Sequence, residues 1–340
     1  MTGAPHKAPH KGVRMSFARH RVCMRSFTIR TPNGYSYCRI RKVNPLQRMV
    51  NGRLIVEHLC YNDAKKGNHL PPILKKALIV LSLLIALNVG FVWYGKASFN
   101  ATFQGLAKAF ADQNATTFDI THTSIPSVER FLQSIGAKPY KTVVIEIEGN
   151  YRKKPASKPI AIHALSLLRP SPDWLWAMTL DPNPLITFNA LETYHDGRAA
   201  LKTMLFGIVP TGEIRDEAFA RSELARLLAY APFNPLLLAS PSVTCQTVDP
   251  HTLRATIHDG HLSATVTFTL DDQGRITAAS STERVLKNRQ GIQRLPWSIA
   301  FGPYRRTGDF AMPQTAAETW QLADGPFEQL RFTLKGAKAL

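Results

Sequence analysis

Residues able to do chemistry are few in this chain, and their spacing is poor. Histidines in its larger C-terminal part stand at His122, His163, His195, His251, His258 and His261. His258 and His261 flank Asp259-Gly260, and such a pair would need further ligands to hold a metal. None stands at a recognisable spacing, so the pair reads as polar residues on a turn, and no metal is expected. His163 lies in an alternating apolar run and reads as a core histidine with its hydrogen bonds met. Glu283-Arg284 reads as part of a surface ion pair. Cys23, Cys38 and Cys60 lack the C-x-x-C spacing that would build a zinc site with His20 or His58, and Cys245 stands far from all three. There is no G-x-S-x-G elbow, H-E-x-x-H pair, glycine-rich phosphate loop or EF-hand loop. The expectation is a protein without catalytic residues or cofactors, and not an enzyme.

The aromatic residues say more as a set. Trp174, Trp176, Phe188, Phe268, Trp297, Phe301 and Trp320 all fall in runs that alternate with period two. They fit a packed core, or the lining of a cavity kept open by a curved sheet for an apolar ligand. Alternation looks the same in both cases.

Those runs need elements to position them. Val143–Glu148, Ile160–Leu165, Trp174–Leu180 and Leu185–Ala190 are short strands, with a turn at Asp196-Gly197. Ala199–Ile208 and Arg215–Ala229 read as a helical insertion, the second closed by Pro232 and Pro235. The sheet resumes with Thr252–His258 and Leu262–Leu270 around His258-Asp259-Gly260-His261, a hairpin signal. Arg275–Val285, Trp297–Tyr304, Gln314–Leu322 and Glu328–Leu334 follow. Turns rather than crossover helices join these runs, which makes the sheet antiparallel. About nine to eleven strands are expected. Upstream, Ser124–Ser134 reads as a helix closed by Gly136, and Phe99–Gln113 as a one-faced helix. Asn100 and Asn114 sit in Asn-Ala-Thr sequons, which matter only in a eukaryotic secretory setting.

One stretch organises the chain: Ala77–Gly95, with no charged residue and one amide, Asn88. At about 1.5 Å per residue it crosses a hydrocarbon core of about 30 Å as a single helix. The net charge of +18 is unevenly shared, because residues 1–76 hold sixteen Lys and Arg against Glu57 and Asp63. A basic flank stays in the cytoplasm, which places the N-terminus inside and residues 97–340 outside. A cleaved signal peptide is the competing reading, but its apolar region is shorter and no small-x-small site follows the span. An uncleaved signal anchor fits better.

Residues 1–22 are basic and polar, which reads as disorder. Two alternating runs flank Pro32-Asn33-Gly34 within Ser26–Val43, the signal of a short hairpin. Three readings of this head compete: a tail for anionic lipid or nucleic acid, the flank that sets topology, or residues upstream of the true start. The second and third rank above nucleic acid, for which no binding module is recognisable.

Several motifs then occur in order: Pro126-Ser-Val-Glu-Arg130, Tyr194-His-Asp-Gly197, Ser222-Glu-Leu-Ala-Arg226 leading to Pro232-Phe-Asn-Pro235, Val248-Asp249, Arg254-Ala-Thr256, Asp259-Gly260, Pro296-Trp297, Phe301, Tyr304, Pro313, Glu318-Thr-Trp320 and Asp324-Gly-Pro-Phe327. Together they resemble an uncharacterised bacterial family, domain-of-unknown-function family 6544, over about residues 120–335. One position departs from the pattern: Tyr230 stands where the family resemblance implies Glu. The family has no established activity. Its strand pattern is similar to the incomplete β-barrels of periplasmic lipoprotein carriers, a fold-level analogy.

These readings give an α+β protein, mainly an antiparallel sheet curved into an incomplete β-barrel with a few covering helices, preceded by one transmembrane helix. The expected divisions are a basic head at 1–71, a signal-anchor helix at 72–96, a membrane-proximal helical linker at 97–119 and a periplasmic β-rich domain at 120–337. The expected setting is the bacterial inner membrane, single-pass, with the N-terminus cytoplasmic. Partners are the lipid bilayer through Ala77–Gly95 and a lipid or other apolar molecule in a cavity lined by the seven aromatic residues. The alternative is an envelope scaffold with a filled core that docks another envelope protein.

Overall fold

The computed structural model describes residues 27–31, 34–38, 71–112, 125–288 and 291–340. The readings made for residues 1–22, for Cys23 and Cys60, for His20, His58 and His122, and for the Asn114 sequon lie outside them. The chain forms two units, Met1–Pro72 and Ile73–Leu340. In the first, β1 (Phe27–Thr31) and β2 (Gly34–Cys38) pair antiparallel, as the alternating runs predict.

The second unit begins with α1 (Pro72–Asp112), one unbroken helix of 41 residues. Sequence reading placed two helices here. Only Lys96, Ala97 and Ser98 separate the apolar stretch from the one-faced segment beyond it, and no Pro or capping pair divides them. Helix α2 (Pro126–Ile135) starts on Pro126 and closes at Gly136, whose left-handed φ of 64° suits glycine. It buries Val128, Phe131, Leu132 and Ile135.

The strands that follow are β3 (Val143–Tyr151), β4 (Ile160–Leu168), β5 (Trp174–Asn183), β6 (Ile186–His195), β7 (Arg198–Leu205) and β8 (Val209–Ile214). Helix α3 (Glu217–Ala229) and two 3-10 turns interrupt them. After the helix come β9 (Val243–Asp249), β10 (Thr252–Asp259), β11 (Leu262–Leu270), β12 (Ile276–Ser281), β13 (Val285–Asn288), β14 (Gly291–Arg294), β15 (Trp297–Phe301), β16 (Tyr304–Thr307), β17 (Phe310–Pro313), β18 (Thr315–Leu322) and β19 (Gly325–Ala339). Thirteen of them form one sheet in the order β8-β7-β6-β5-β4-β3-β19-β18-β15-β12-β11-β10-β9. Neighbours within it run antiparallel throughout.

Helix α3 touches β6 and β7 near one edge of this sheet and β10 and β11 near the other. The sheet therefore curls around the helix, while its edge strands β8 and β9 do not pair with each other. The result is the antiparallel half-barrel that the turn-linked runs predict. Its helix is buried nearly all round, which is why Phe219, Leu224, Leu227 and Leu228 do not share one narrow stripe. Asp216 caps it by accepting a hydrogen bond from the Phe219 amide at 2.7 Å.

Two expectations need correction. Ala199–Ile208 is not a helix: Arg198–Leu205 is β7, paired residue for residue with β6 from His195 to Phe188. Ala, Leu, Lys and Met favour helix locally, but the Asp196-Gly197 turn, with φ of 49° and 68°, folds the segment straight back onto β6. The strand count was also too low, because β8, β9 and the small hairpins β13–β14 and β16–β17 carry few alternating apolar residues.

The sheet is covered on both faces where β4, β5 and β6 lie. Trp174, Trp176 and Met178 of β5 belong to the main core, which also contains α3. Leu175 and Ala177 point the other way, into a second cluster with Leu167, Leu191 and Phe99, Phe103 and Phe110 of α1. A strand buried on both sides becomes continuously apolar, as Trp174–Met178 does. The later half of α1 is thus packed against the convex face of the sheet. Gly95 lies so close to the Phe206 carbonyl that a Cβ would meet the oxygen at 1.6 Å.

Candidate functional site

On the concave face, between α3 and the sheet, lies a cavity of about 470 Å³. Antiparallel pairing lines up its wall. Leu180 of β5, Phe188 of β6 and Leu205 of β7 follow one another across the strands, and Leu180, Phe188, Leu201 and Met178 face the cavity. Phe219 of α3 and Leu286 and Ile292 of the β13–β14 hairpin close it from the other side. Leu330 and Trp320 complete the wall on β19 and β18.

The floor is charged. Glu192 of β6, Glu223 and Arg226 of α3, Arg284, and Glu318 of β18 all border the cavity and all are buried. Each sits at an inward position, Glu192 between Ala190 and Tyr194 and Glu318 between Ala316 and Trp320. Arg226 Nη1 donates to Glu192 Oε2 at 2.5 Å, and its Nε lies 3.4 Å from Glu318 Oε1. Arg284 Nη1 donates to Glu223 Oε1 at 2.7 Å and to the Ser222 carbonyl at 3.0 Å. The Tyr230 hydroxyl donates to Glu318 Oε1 at 2.6 Å. Tyr230 therefore keeps a polar role at the position where the resemblance implies Glu.

Aromatic faces cover both guanidinium groups. The Arg226 guanidinium carbon lies 5.1 Å from the Trp174 ring centre and 4.8 Å from that of Trp176. That of Arg284 lies 5.1 Å from the Trp297 ring centre. These contacts favour cations that have lost water. Three carboxylates nevertheless face two guanidiniums, which leaves one negative charge in excess. Burial raises the Glu192 carboxyl to about 7, against the pull of Arg226 and with the repulsion of Glu223 and Glu318. Glu223 Oε2 makes no hydrogen bond, although Arg226 Nη1 is 3.7 Å away.

Of the seven aromatic residues expected to line a cavity, Phe188 and Trp320 do so. Trp174, Trp176, Phe268 and Trp297 are packed in the main core, and Phe301 packs against it. The charged floor was missed, and Arg284 was misread as a surface partner although it is buried. A charge at an inward position of an alternating strand was the available signal at Glu192 and Glu318. His163, expected in the core, is half-exposed and bonds Glu146 at 2.8 Å, because its position on β4 points outward. His258 and His261 are exposed at their turn. Among the described residues, no group of three His, Cys, Asp or Glu is placed to hold a metal.

No curated protein sequence matches this chain. Among solved structures it is similar to a domain assigned to outer membrane lipoprotein sorting from Vibrio parahaemolyticus, at 13% identity and a TM-score of 0.36, over 63% of this chain and 89% of that one. It is similar to a LolA superfamily protein from Nitrosomonas europaea, at 11% identity and 0.37, over 65% and 94%. A DUF1329 family protein from Desulfovibrio piger is similar at 9% identity and 0.37, over 63% and 92%. The model of DUF6544, a family of unknown function, matches residues 126–332, from the start of α2 to β19. That segment holds the half-barrel, the buried charges and most of the chain, which therefore belongs to the DUF6544 family.

Proposed function

We propose that this protein is tethered to the bacterial inner membrane by α1, with its half-barrel in the periplasm, and binds a lipid or other apolar molecule in the concave cavity. The observation that carries the reading is the cavity itself: space of about 470 Å³ remains between α3 and an apolar wall in an otherwise packed core. An acyl chain placed there gains about 0.8 kcal/mol per buried methylene. The charged floor suits the polar end of an amphipathic molecule. The membrane reading is supported by the apolar part of α1, whose most apolar window has a mean hydropathy of 2.2 and is not buried by the rest of the chain.

A phospholipid carrying a photoactivatable group on its acyl chain tests this with the full chain in lipid nanodiscs. Cross-links are expected on Met178 and Leu201, which line the cavity, and Thr203→Trp, which fills the cavity from β7, should abolish them. Cross-links confined to α1 and indifferent to Thr203→Trp would overturn the ligand reading in favour of a scaffold.

A further inference from the structure

We propose that one end of the half-barrel is seated in the surface of the bilayer, so that the cavity opens onto the lipid leaflet. This inference rests on the reading of α1 as a membrane span. Strand register places three connections at a common end. Tyr151 pairs with Ile160 across β3–β4, Asn183 with Ile186 across β5–β6, and Leu205 with Val209 across β7–β8. That end abuts the apolar part of α1. Lys96 pairs with Asp181 at 3.3 Å, the Phe206 carbonyl presses on Gly95, and the Phe206 ring lies 5.3 Å from the ring of Phe91.

Phe91 is five residues inside Lys96, or about 7 Å along the helix axis. From Asp181 the β5–β6 connection runs on toward Leu185 in the same direction, at about 3.3 Å per residue. The two turns therefore lie level with the last turns of Ala77–Gly95, where the hydrocarbon gives way to head groups. Their side chains suit that depth. Leu185, Ile186, Phe188 and Val209 are 36% to 49% exposed, an apolar rim with no protein cover. Phe188 belongs both to this rim and to the cavity wall.

The third connection has a different character. Arg152, Lys153, Lys154 and Lys158 are exposed on the β3–β4 loop, which contains no acidic residue, and Lys153 borders the cavity. A basic loop beside an apolar rim is complementary to the phosphates of lipid head groups lying above acyl chains. Asp181 is neutralised by Lys96, and Asp324 is the acidic residue of the neighbouring β18–β19 turn. The occupant of the rim is therefore the bilayer that α1 crosses. A ligand can pass between leaflet and cavity without crossing water.

Site-directed spin labelling of the full chain tests this. Nitroxides are placed at Leu185→Cys and Val209→Cys in a background with all four cysteines changed to Ser, in nanodiscs of phosphatidylethanolamine and phosphatidylglycerol. Controls are Leu84→Cys in the span and His261→Cys on a distant turn. Labels at 185 and 209 should relax with oxygen well above the label at 261, though less than the mid-span label at 84, and lose most of the response to water-soluble nickel seen at 261. If 84 reads lipid while 185 and 209 read water, the seating is wrong and the tether stands. If 84 also reads water, the membrane reading itself fails. Protection of 185 and 209 from both reagents would mean protein covers the rim, and would equally overturn the proposal.

Discussion

Changing Glu192 to Gln should remove a pH dependence of stability centred on the cavity floor. Two guanidiniums face three carboxylates, and Glu192 is the carboxylate whose titration moves to about 7 from an ordinary 4.5. Below 4.5 the group carries its proton in folded and unfolded chains alike, and the protein has the full benefit of a neutral partner there. Between 4.5 and 7 the unfolded chain releases the proton while the folded chain retains it. Stability then falls by up to about 1.4 kcal/mol per pH unit, and by about 3 kcal/mol in all once pH has passed 7. Glu192→Gln leaves two carboxylates for two guanidiniums and has no proton to lose. Asp249 and Glu328, whose carboxyls are held low by hydrogen bonds from the 251–252 segment and from Arg331, tilt stability the other way in acid. They are common to both proteins and cancel in the difference. Thermal melts of both proteins from pH 5 to 8 should therefore diverge, the variant gaining roughly 5–10 °C relative to wild type across the range. Parallel melting curves would refute the assignment of a retained proton to this cluster.

Arg226→Met should be far more damaging than Glu192→Gln. It leaves Glu192 and Glu318 buried without their guanidinium, a loss of about 3–5 kcal/mol, read as a fall in the denaturation midpoint. Adding Glu192→Gln to that variant should recover part of it. Gly95→Ala should push the β7–β8 turn off α1, because its Cβ would overlap the Phe206 carbonyl. The expected result is faster proteolysis near Phe206 and a loss of about 1–3 kcal/mol, with the core around α3 unchanged by tryptophan fluorescence.

The half-barrel was legible because its strands alternate cleanly and its turns carry Asp-Gly pairs, as in Leu262–Leu270 after Asp259-Gly260. The path of Arg198–Leu205 was not, since its residues favour helix and only pairing with β6 makes it a strand. The aromatic residues could be assigned to strands, but not divided between core and cavity wall. Trp176 and Trp320 alternate in the same way and both are buried in the main core, yet only Trp320 also borders the cavity. The charged floor was hidden for a related reason: Glu223 and Arg226 look like an ordinary helical ion pair until the sheet curls over them. Their partners Glu192 and Glu318 lie 31 residues before Glu223 and 92 residues after Arg226 in the chain.

Phe99, Phe103 and Phe110 give the later half of α1 a further meaning, because the folding unit is larger than the segment shared with the family. A fragment cut at residue 126 would keep every strand from β3 onward and the whole cavity. It would also bare Leu167, Leu175, Ala177 and Leu191, the outer surface that those three rings cover. Three large aromatic contacts of this kind contribute on the order of 1.5–3 kcal/mol each, a large share of the stability of any single domain. The fragment would thus carry a ready-made sticky stripe and aggregate through it. A fragment without the apolar segment Ala77–Gly95 should therefore begin near Ala97, so that it keeps the part of α1 that covers this surface.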